Sequence, residues 1–263
     1  MKKITAFILV TILITSMLTG CSGSKKENTV HSIDDLNNKT IGVQLGTTGD
    51  TLAGDIEGAT VERYNKYADA VQALKQGKID AIIIDSDTAN VFLSKNDDVE
   101  LLSEGFADEE YAIAMKLDNE SLQKEINGAL SELKADGTLK SIKDYYDGDK
   151  SSDAAQKPYV RNESADRSKG TLIMATNAEF PPYEYQENGQ IVGFDVDMMN
   201  AVCDKLGYEL KIEDMFFDSI IAAVQSGKAD VGVAGMSVTP EREENVRFSD
   251  SYTVTHLVVM VRK

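Results

Sequence analysis

The strongest constraint on the fold is an alternation of short apolar strands and helical segments that occurs twice along the chain. The first region predicts strands at residues 40–44, 60–64 and 80–84, with helices at about 50–57, 67–76 and 86–94. The second predicts strands at 171–176, 208–213, 230–234 and 254–261, with helices at 195–206 and 217–226 and a short helix from Pro240. Alternating strands and helices form a parallel sheet that is covered on both faces. The sequence therefore predicts an α/β protein with two lobes.

The segment between the two regions changes in composition at residue 148. Residues 121–146 keep apolar side chains at helical spacing, which predicts two helices. Residues 148–169 are rich in small, polar and charged side chains and have no apolar period. Such a composition is typical of a linker or a disordered stretch. We therefore expect residues 148–169 to connect parts of the fold without building its core.

The N-terminal segment has the order of charge, apolar run and small residues that is typical of a secretory signal. Two lysines precede the apolar run of residues 4–17, and Leu-Thr-Gly precedes Cys21. The run is shorter than the roughly 20 apolar residues of a membrane-spanning helix, although a retained anchor is the alternative. The Leu-Thr-Gly-Cys ending resembles a bacterial lipobox, whose cysteine is diacylated. The sequence predicts a signal peptide over 1–20, a lipid on Cys21 and a lipidated tether over 21–29.

Charge and cysteine content argue against several classes of protein. The chain has 44 acidic and 27 basic residues, a net charge of -17, and such a surface repels phosphate backbones. We therefore expect no nucleic-acid partner. Cys203, the second of two cysteines, lies on an apolar helical face and is expected to be a buried packing thiol. No spacing typical of metal ligands occurs, so we expect no metal or cofactor.

Two loops that follow predicted strands can hold an anion. Open α/β sheets bind ligands beyond the carboxyl ends of their strands, and the amides and hydroxyls around Thr47 and Thr48 lie there, although the segment can also be a simple turn. Arg242 falls in the first turn of a short helix, where a cation is unfavourable unless an anion joins it. Its guanidinium can hold a carboxylate with two hydrogen bonds, and the Ser237 hydroxyl can add a third. A surface ion pair between Arg242 and a neighbouring glutamate is the alternative.

The remaining candidates suit a cation and an apolar surface. Asp85 ends a buried strand, so its carboxylate is placed to accept a ligand ammonium, and capping of the helix at 86–94 is its competing role. The other candidates follow or begin predicted elements and offer an amide, a carboxylate and two aromatic faces: Asn177, Glu179, Phe180 and Phe217. An anion site, a cation site and aromatic walls together describe a pocket for a zwitterion such as an amino acid.

Several motifs resemble those of the family 3 solute-binding proteins, the amino-acid-binding receptors of ATP-binding cassette (ABC) importers. Residues 171–263 resemble the first portion of that family in the segments Ala175–Pro182, Gly193–Asp197, Ala234–Arg242 and Phe248–Asp250. Residues 30–147 resemble the second portion in Asp35–Leu36, Ile41–Gly49 and Leu133–Leu139. The two portions stand in reversed order, and each family segment occurs once. The resemblance therefore implies a type II periplasmic-binding-protein-like fold that is circularly permuted, with the ligand cleft between its lobes.

The resemblance also implies a division of the chain. Lobe 2 would comprise residues 30–109, and lobe 1 would comprise residues 110–263 with the linker 148–169 inside it. Only one covalent crossing would remain between the lobes, near residues 109–115, while Lys263 and Val30 would meet at the other hinge strand. The tether from Cys21 would then attach beside the hinge.

The residue roles carried over from the family complete the expected site. Arg242 and Thr48, with Thr47 beside them, would hold the ligand α-carboxylate. The α-ammonium would be bound by three groups, namely the Ser237 hydroxyl, the Gly235 carbonyl and Asp85. Phe180 and Phe217 would form the walls, and Asn177 would lie near the ligand side chain. Several relatives have Asp where this chain has Asn177, which argues against strong selection for a basic side chain unless Glu179 restores it.

The expected function is capture of a polar amino acid outside the cytoplasm for an ABC importer. Glutamine-like, basic and cystine-like ligands all remain open. The expected partners are the free ligand, a permease and the membrane that holds the lipid on Cys21, and the chain is expected to be a monomer without enzymatic activity. The alternatives are a dehydratase-like enzyme derived from the same fold and a module that senses a ligand without delivering it.

Overall fold

The computed structural model of the chain describes residues 27–147 and 159–263. The first part contains a 3-10 helix (Ile33–Leu36), β1 (Thr40–Gln44), α1 (Thr48–Gly54), β2 (Thr60–Tyr64), α2 (Tyr67–Lys75), β3 (Ala81–Asp85), α3 (Ser86–Leu93), β4 (Val99–Tyr111), β5 (Ala114–Met115), α4 (Glu120–Ala135) and α5 (Thr138–Tyr146). The second contains β6 (Thr171–Thr176), β7 (Glu179–Phe180), β8 (Glu184–Glu187), β9 (Gln190–Val192), α6 (Phe194–Leu206), β10 (Glu209–Asp214), a 3-10 helix (Phe217–Ser219), α7 (Ile220–Ser226), β11 (Val231–Gly232), α8 (Pro240–Glu243), β12 (Arg247–Phe248) and β13 (Thr253–Arg262). The predicted α/β architecture in two lobes is confirmed.

The sheet of lobe 2 has the strand order β2-β1-β3-β13-β4. β1 runs parallel to both β2 and β3, whereas β13 runs antiparallel to β3 and β4. The central strands are largely buried because helices cover both faces: four of the five residues of β1 and all five of β3 are buried. This sheet places the carboxyl ends of β1 and β3 at one edge, which faces lobe 1.

One strand lies in a different lobe from the one that the sequence indicated. Residues 253–263 were grouped with lobe 1, but β13 is hydrogen-bonded between β3 and β4 in the sheet of lobe 2. The reason is its composition, because residues 257–262 are buried without interruption and such a run needs cover on both faces. A position inside the sheet of lobe 2, between β3 and β4, supplies that cover. Apart from this strand, the predicted boundary between lobe 2 and lobe 1 at residues 109 and 110 stays a prediction.

Two chain segments cross side by side between the lobes. Tyr252 donates its backbone N–H to the carbonyl of Tyr111 at 2.9 Å, and Ser249 donates to the carbonyl of Ile113 at 2.9 Å. The expectation of a single covalent crossing is therefore wrong. Lys263 donates to the carbonyl of Asp98 within lobe 2, and Val30 belongs to the core of the same lobe. Neither residue lies at the crossing, because β13 runs on through the sheet of lobe 2.

The sheet of lobe 1 has the strand order β10-β6-β11-β5-β12. β6 is parallel to β10 and β11, and the short strand β5 is antiparallel to β11 and β12. A small antiparallel sheet, β7-β8-β9, precedes α6. Cys203 on α6 is buried in the core, as predicted. The arrangement brings the carboxyl ends of β6 and β11 to the side that faces lobe 2.

The described half of the linker is docked on lobe 1. The Tyr159 hydroxyl donates to Asp204 Oδ2 at 2.8 Å, and the Asn162 N–H donates to the same oxygen at 2.7 Å. These bonds attach residues 159–169 to α6, so this part of the segment is not a loose connection. The signal peptide, Cys21 and residues 148–158 lie outside the described residues. In the described ranges, no helix combines the length and apolar character needed to cross a membrane.

Candidate functional site

A cavity lies between the lobes at the carboxyl ends of β1, β3, β6 and β11. All nine residues predicted to bind a ligand line it: Thr47, Thr48, Asp85, Asn177, Phe180, Phe217, Gly235, Ser237 and Arg242. Seven further residues complete the lining: Gln44, Tyr67, Glu109, Tyr111, Glu184, Ala234 and Leu257. The centre of a water molecule can move over only about 20 Å³ of this space. That is room for about one water molecule, so the lobes are closed on each other.

Arg242 supplies the positive charge of the cavity. Its side chain donates from Nη1 to the Ser237 carbonyl at 2.7 Å and from Nη2 to the Gly46 carbonyl at 3.0 Å, and the residue is 8% exposed. Burial lowers the pKa of Arg242 from its ordinary value. Among the described residues, no carboxylate lies within ion-pairing distance of it, which excludes the predicted alternative of a surface pair with Glu241 or Glu244. The guanidinium is a buried cation whose described acceptors are neutral carbonyls.

The two threonines at the start of α1 have different roles. Thr47 caps the helix, since its hydroxyl oxygen accepts from the Asp50 N–H at 3.3 Å, and the hydroxyl donates to the Gln44 carbonyl at 2.8 Å. The Thr48 hydroxyl instead donates to Glu109 Oε1 inside the cavity. Of the two hydroxyls, that of Thr48 is the one directed at the centre of the site.

Asp85 has both of the roles that its position at the end of β3 allowed. Its Oδ1 caps α3 by accepting from the N–H groups of Asp87 at 2.9 Å and Thr88 at 3.4 Å. Its Oδ2 accepts from the Tyr111 hydroxyl at 2.7 Å and from the Thr255 hydroxyl at 2.8 Å. The residue is 1% exposed, and burial raises its pKa to about 6.

Glu109 is a second carboxylate in the cavity that the sequence did not identify. It is 7% exposed, and its Oε1 accepts from the Ser237 hydroxyl at 2.6 Å and from the Thr48 hydroxyl. Because Ser237 belongs to lobe 1 and Thr48 to lobe 2, this carboxylate joins the two lobes. The sequence carries no signal for it, because residues 108–110 are all acidic, and the burial of Glu109 and Tyr111 on either side of the exposed Glu110 appears only in the structure.

Asn177 forms one side of the cavity and contacts the other lobe. Its Nδ2 donates to the Met215 carbonyl at 2.9 Å, and its Oδ1 accepts from Gln44 Nε2 of the other lobe at 2.8 Å. Glu179 does not line the cavity and pairs with Lys66 at its rim. Glu179 therefore has no direct contact with the site. The polar groups that line this part of the cavity are the side-chain amides of Asn177 and Gln44.

The aromatic walls are fixed by packing against each other. Phe180 stacks on Tyr183 with ring centroids 5.4 Å apart and lies 6.1 Å from the ring of Tyr67. The Phe217 ring lies 5.4 Å from the guanidinium carbon of Arg242, a cation–π distance. Gly235 has φ +51, and a Cβ at this position would stand 2.6 Å from Phe180, so a glycine is required there.

A buried pair of acids, Glu184 and Asp195, lies beside the Phe180 wall, where Glu184 pairs with Phe180 across β7 and β8 and also lines the cavity. If both groups are treated as ionised acceptors, three of their oxygens have no hydrogen-bond partner among the described residues: Oε1 and Oε2 of Glu184 and Oδ1 of Asp195. Asp195 Oδ2 accepts from the Gly235 N–H and the Tyr252 hydroxyl, each at 2.9 Å. Burial raises the pKa of Glu184 well above its ordinary value and that of Asp195 to about 6. A proton on Glu184 makes it a donor to Asp195 and removes the conflict.

Comparison with known proteins places part of this chain in a family. Residues 172–263 match the family model of the bacterial extracellular solute-binding proteins, family 3. The chain is 44% identical over 99 residues to the arginine-binding extracellular protein ArtP of Bacillus subtilis (strain 168), covering 37% of this chain and 39% of ArtP. It is 35% identical over 124 residues to the L-cystine-binding protein TcyJ of Escherichia coli (strain K12), covering 46% of this chain and 47% of TcyJ. The matches thus span less than half of either relative.

A solved structure is similar to a comparable share of this chain. The arginine-bound form of domain 1 from TmArgBP is 42% identical, with a TM-score of 0.32, over 36% of this chain and 82% of that domain. The matched family region, residues 172–263, contains six of the nine predicted binding residues, from Asn177 to Arg242. Through this region, the chain is similar to the bacterial extracellular solute-binding proteins, family 3.

Proposed function

We propose that this protein captures a free amino acid between its two lobes and presents it to an ABC importer. The observation that carries the proposal is the charge pattern of one buried cavity, whose lining includes Arg242 together with the carboxylates of Glu109 and Asp85. An amino acid has a carboxylate and an ammonium group on the same carbon, so it can satisfy both kinds of charge at once. The names of the relatives, which describe binding proteins, support capture without catalysis.

Capture requires that the lobes separate and close again. The cavity has room for about one water molecule, so an amino acid cannot enter the closed form. Contacts between the lobes surround the site, including Arg242 with the Gly46 carbonyl and Gln44 with Asn177. A ligand that bridges the same groups would stabilise the closed form, because a ligand shifts the equilibrium towards the state it binds better.

The charge balance favours a basic amino acid among the three classes that the sequence left open, and it outweighs the argument from Asn177, because Asp85 and Glu109 already supply acidic groups to the cavity. The cavity holds two acidic side chains, Asp85 and Glu109, against the single cation of Arg242, while burial raises the pKa of Glu184 well above its ordinary value and so favours its neutral form. The α-groups of a ligand cancel each other, so a cationic side chain would make the filled site neutral. A buried site with an unbalanced charge is costly. The arginine-binding name of ArtP supports this preference, whereas that of TcyJ supports a cystine-like ligand.

The cellular setting of the proposed function follows from the N-terminal sequence and the family. A lipid on Cys21 would hold the protein at the outer face of the cell membrane, where it would meet a permease as a monomer without a cofactor. The family description, extracellular solute-binding proteins, supports a location outside the cytoplasm. Labelling of cells with radioactive palmitate would test the anchor, and a Cys21→Ser protein that still carries the label would disprove it.

The binding function is tested by calorimetry with purified protein and the common amino acids plus L-cystine. We expect one site per chain, a preference for L-arginine or L-lysine, and a higher melting temperature with the ligand present. The absence of binding to every member of this panel would disprove the proposal. Conversion of the bound compound to a product, followed by mass spectrometry, would instead establish the dehydratase-like alternative.

A further inference from the structure

Two charged residues from opposite lobes form an ion pair beside the cavity. Lys66 is the N-cap residue of α2 in lobe 2, and Glu179 is the first residue of β7 in lobe 1. Lys66 Nζ donates a hydrogen bond to Glu179 Oε1, and we call these two residues the rim pair. Neither residue lines the cavity, but the next residue in each segment does, and the rings of Tyr67 and Phe180 lie 6.1 Å apart. The rim pair therefore adjoins the closed cavity from outside.

The rim pair is the outer member of a set of contacts between the same two segments. Nearer the cavity, Gln44 Nε2 donates to the Asn177 side chain of lobe 1 at 2.8 Å and to the Asn65 carbonyl at 3.1 Å. The bond to Asn177 is buried, whereas the side chains of Lys66 and Glu179 are 44% and 30% exposed. Water thus reaches the rim pair, and changes at these two positions leave the buried amide contact in place.

Lys66 is attracted to lobe 1 by more than one carboxylate. Its hydrogen bond with Glu179 is the largest cause of a rise in its pKa, and Asp69 in α2 and Asp214 at the end of β10 add to the rise. Asp69 belongs to the same lobe as Lys66, whereas Glu179 and Asp214 belong to lobe 1. Most of this attraction is therefore available only when the lobes are closed.

A second ion pair between the lobes is longer and shares its charges with other groups. Lys143 on α5, which packs against α6 of lobe 1, lies 3.7 Å from Asp87 at the start of α3. Lys143 also pairs with Asp147 just after its own helix at 3.0 Å, and Asp87 accepts from the Tyr183 hydroxyl at 2.7 Å. The rim pair is thus the more direct ionic contact between the lobes among the described residues.

We propose that Lys66 and Glu179 set how readily the two lobes close, without contacting the ligand. Separation of the lobes breaks the rim pair, so the pair stabilises the closed form alone. A ligand that binds the closed form then gains affinity by the same factor whatever its side chain, because that factor is the change in the closed population. This inference rests on the proposed capture between the lobes and adds to it two positioning residues outside the pocket.

The inference is tested with Lys66→Glu, Glu179→Lys and the double variant, titrated by calorimetry with L-arginine, L-lysine and L-glutamine. Each single variant should weaken the binding of every amino acid that the wild type binds by one common factor. We expect roughly 3-fold to 10-fold, because an exposed attraction is replaced by repulsion between like charges. The double variant exchanges the two charges and should recover most of the affinity.

Matched controls account for the change in net charge. Lys211 and Glu213 form an exposed ion pair within β10 of lobe 1, at 2.8 Å. Lys211→Glu and Glu213→Lys alter the net charge as the two single variants do, but no contact between the lobes is involved. Both controls should keep the affinities of the wild type.

The sign of the effect on L-arginine separates control of closure from a direct effect of charge. Lys66→Glu puts a negative charge beside the cavity, so direct attraction would tighten the binding of a cationic ligand, whereas loss of the rim pair weakens it. Tighter L-arginine binding by Lys66→Glu would overturn the inference, and so would a weakening that differs between amino acids. Glu179→Lys supplies the same comparison from the other lobe if Lys66→Glu does not fold.

Small-angle scattering of the ligand-free proteins tests the rim pair without any ligand. We expect a larger radius of gyration for each single variant than for the wild type, and a value near that of the wild type for the double variant. Equal radii together with unchanged affinities would overturn the inference. A wild type that binds no amino acid refutes the proposed function, and the ligand-free radii alone then decide whether the rim pair controls closure.

Discussion

Arg242 is a buried cation placed in the first turn of a helix, where the N–H groups of the chain already concentrate positive charge. Its two described hydrogen bonds go to carbonyl oxygens, one from each lobe. This geometry explains why the residue was predictable from the sequence. A cation at an unfavourable end of a helix indicates a partner that the chain itself does not supply.

Replacement of Arg242 by Ala should abolish amino-acid binding. The ligand carboxylate would lose its cationic partner in a buried site, which we expect to cost roughly 3 kcal/mol or more. Calorimetry with the preferred amino acid measures the loss, and Arg161→Ala, at the surface of lobe 1 beside Glu209, serves as the control with unchanged affinity. Near-normal affinity of the Arg242→Ala protein would contradict the assignment.

Replacement of Gly235 by Ala should destabilise the protein and disturb the Phe180 wall. The substitution puts a Cβ against Phe180 and also forces a residue with a side chain into a left-handed conformation. Gly189 is the matched control, because it has φ +78 but no atom within 4 Å of an added Cβ. Chemical denaturation should show a loss of about 1 kcal/mol for Gly189→Ala and a larger loss for Gly235→Ala. Equal losses of unfolding free energy in the two variants would mean that the Phe180 side chain moves away from the added Cβ without cost.

The strand β8 and the helix α6 meet through the buried acids Glu184 and Asp195. Glu184 is the first residue of β8 and Asp195 lies in the first turn of α6, so the shared proton connects two elements that both support the cavity. The Asp195 carboxylate also holds the N–H of Gly235. Protonation of this pair is therefore coupled to the position of the cavity wall.

This pair should make the protein less stable as pH rises. Both carboxyls have pKa values raised above those of the unfolded chain, so the folded state binds more protons between about pH 4 and pH 6. The free energy of unfolding then falls as pH increases through this range, and it continues to fall until Glu184 also loses its proton. Glu184→Gln donates to Asp195 without a titrating proton and should reduce the fall between pH 4.5 and pH 7 by roughly 1 kcal/mol or more.

Denaturant titrations at the two pH values measure that difference. Glu187→Gln, at the exposed end of the same strand, is the control and should keep the slope of the wild type. An unchanged slope in Glu184→Gln would show that the pair does not hold the proton.

The elements that could be predicted from the sequence are those with a clear apolar period. The strands at 40–44, 60–64 and 171–176 are confirmed residue for residue as β1, β2 and β6. β4 was missed because polar and charged side chains alternate irregularly along it and its pairing with β13 is interrupted by register shifts. Glu109 was missed with it, since a site residue on an unpredicted strand cannot be placed.

At the scale of the whole molecule, the lobes are connected by two adjacent strands and by contacts around the cavity. The sequence predicted the two lobes but not the second crossing, because the assignment of β13 to a sheet depends on which neighbours its backbone finds. The predicted circular permutation concerns the order of the segments along the chain and stays a prediction. What the structure adds is that both crossing strands are present next to each other.

Addition of the preferred amino acid should make the protein more compact in solution. The empty protein must visit an open form for the ligand to enter, and binding shifts the population to the closed form. Small-angle scattering should therefore give a smaller radius of gyration with ligand than without it. The Arg242→Ala protein should show no change on addition of the amino acid. Equal compaction of that variant would contradict the prediction, because the lobes would then close without the binding that Arg242 supplies.

Tyr111 belongs to both of the features that matter at this scale. Its ring lies 6.5 Å from the ring of Tyr252 where the chain crosses between the lobes, and its hydroxyl donates to Asp85 in the cavity. A change at Tyr111 therefore alters the joint and the pocket together, whereas Asn177 and Gln44 reach the pocket from outside the joint. Redesign of ligand preference at Asn177 and Gln44 therefore leaves the crossing segments untouched, whereas the side chain of Tyr111 serves the crossing and the pocket at once.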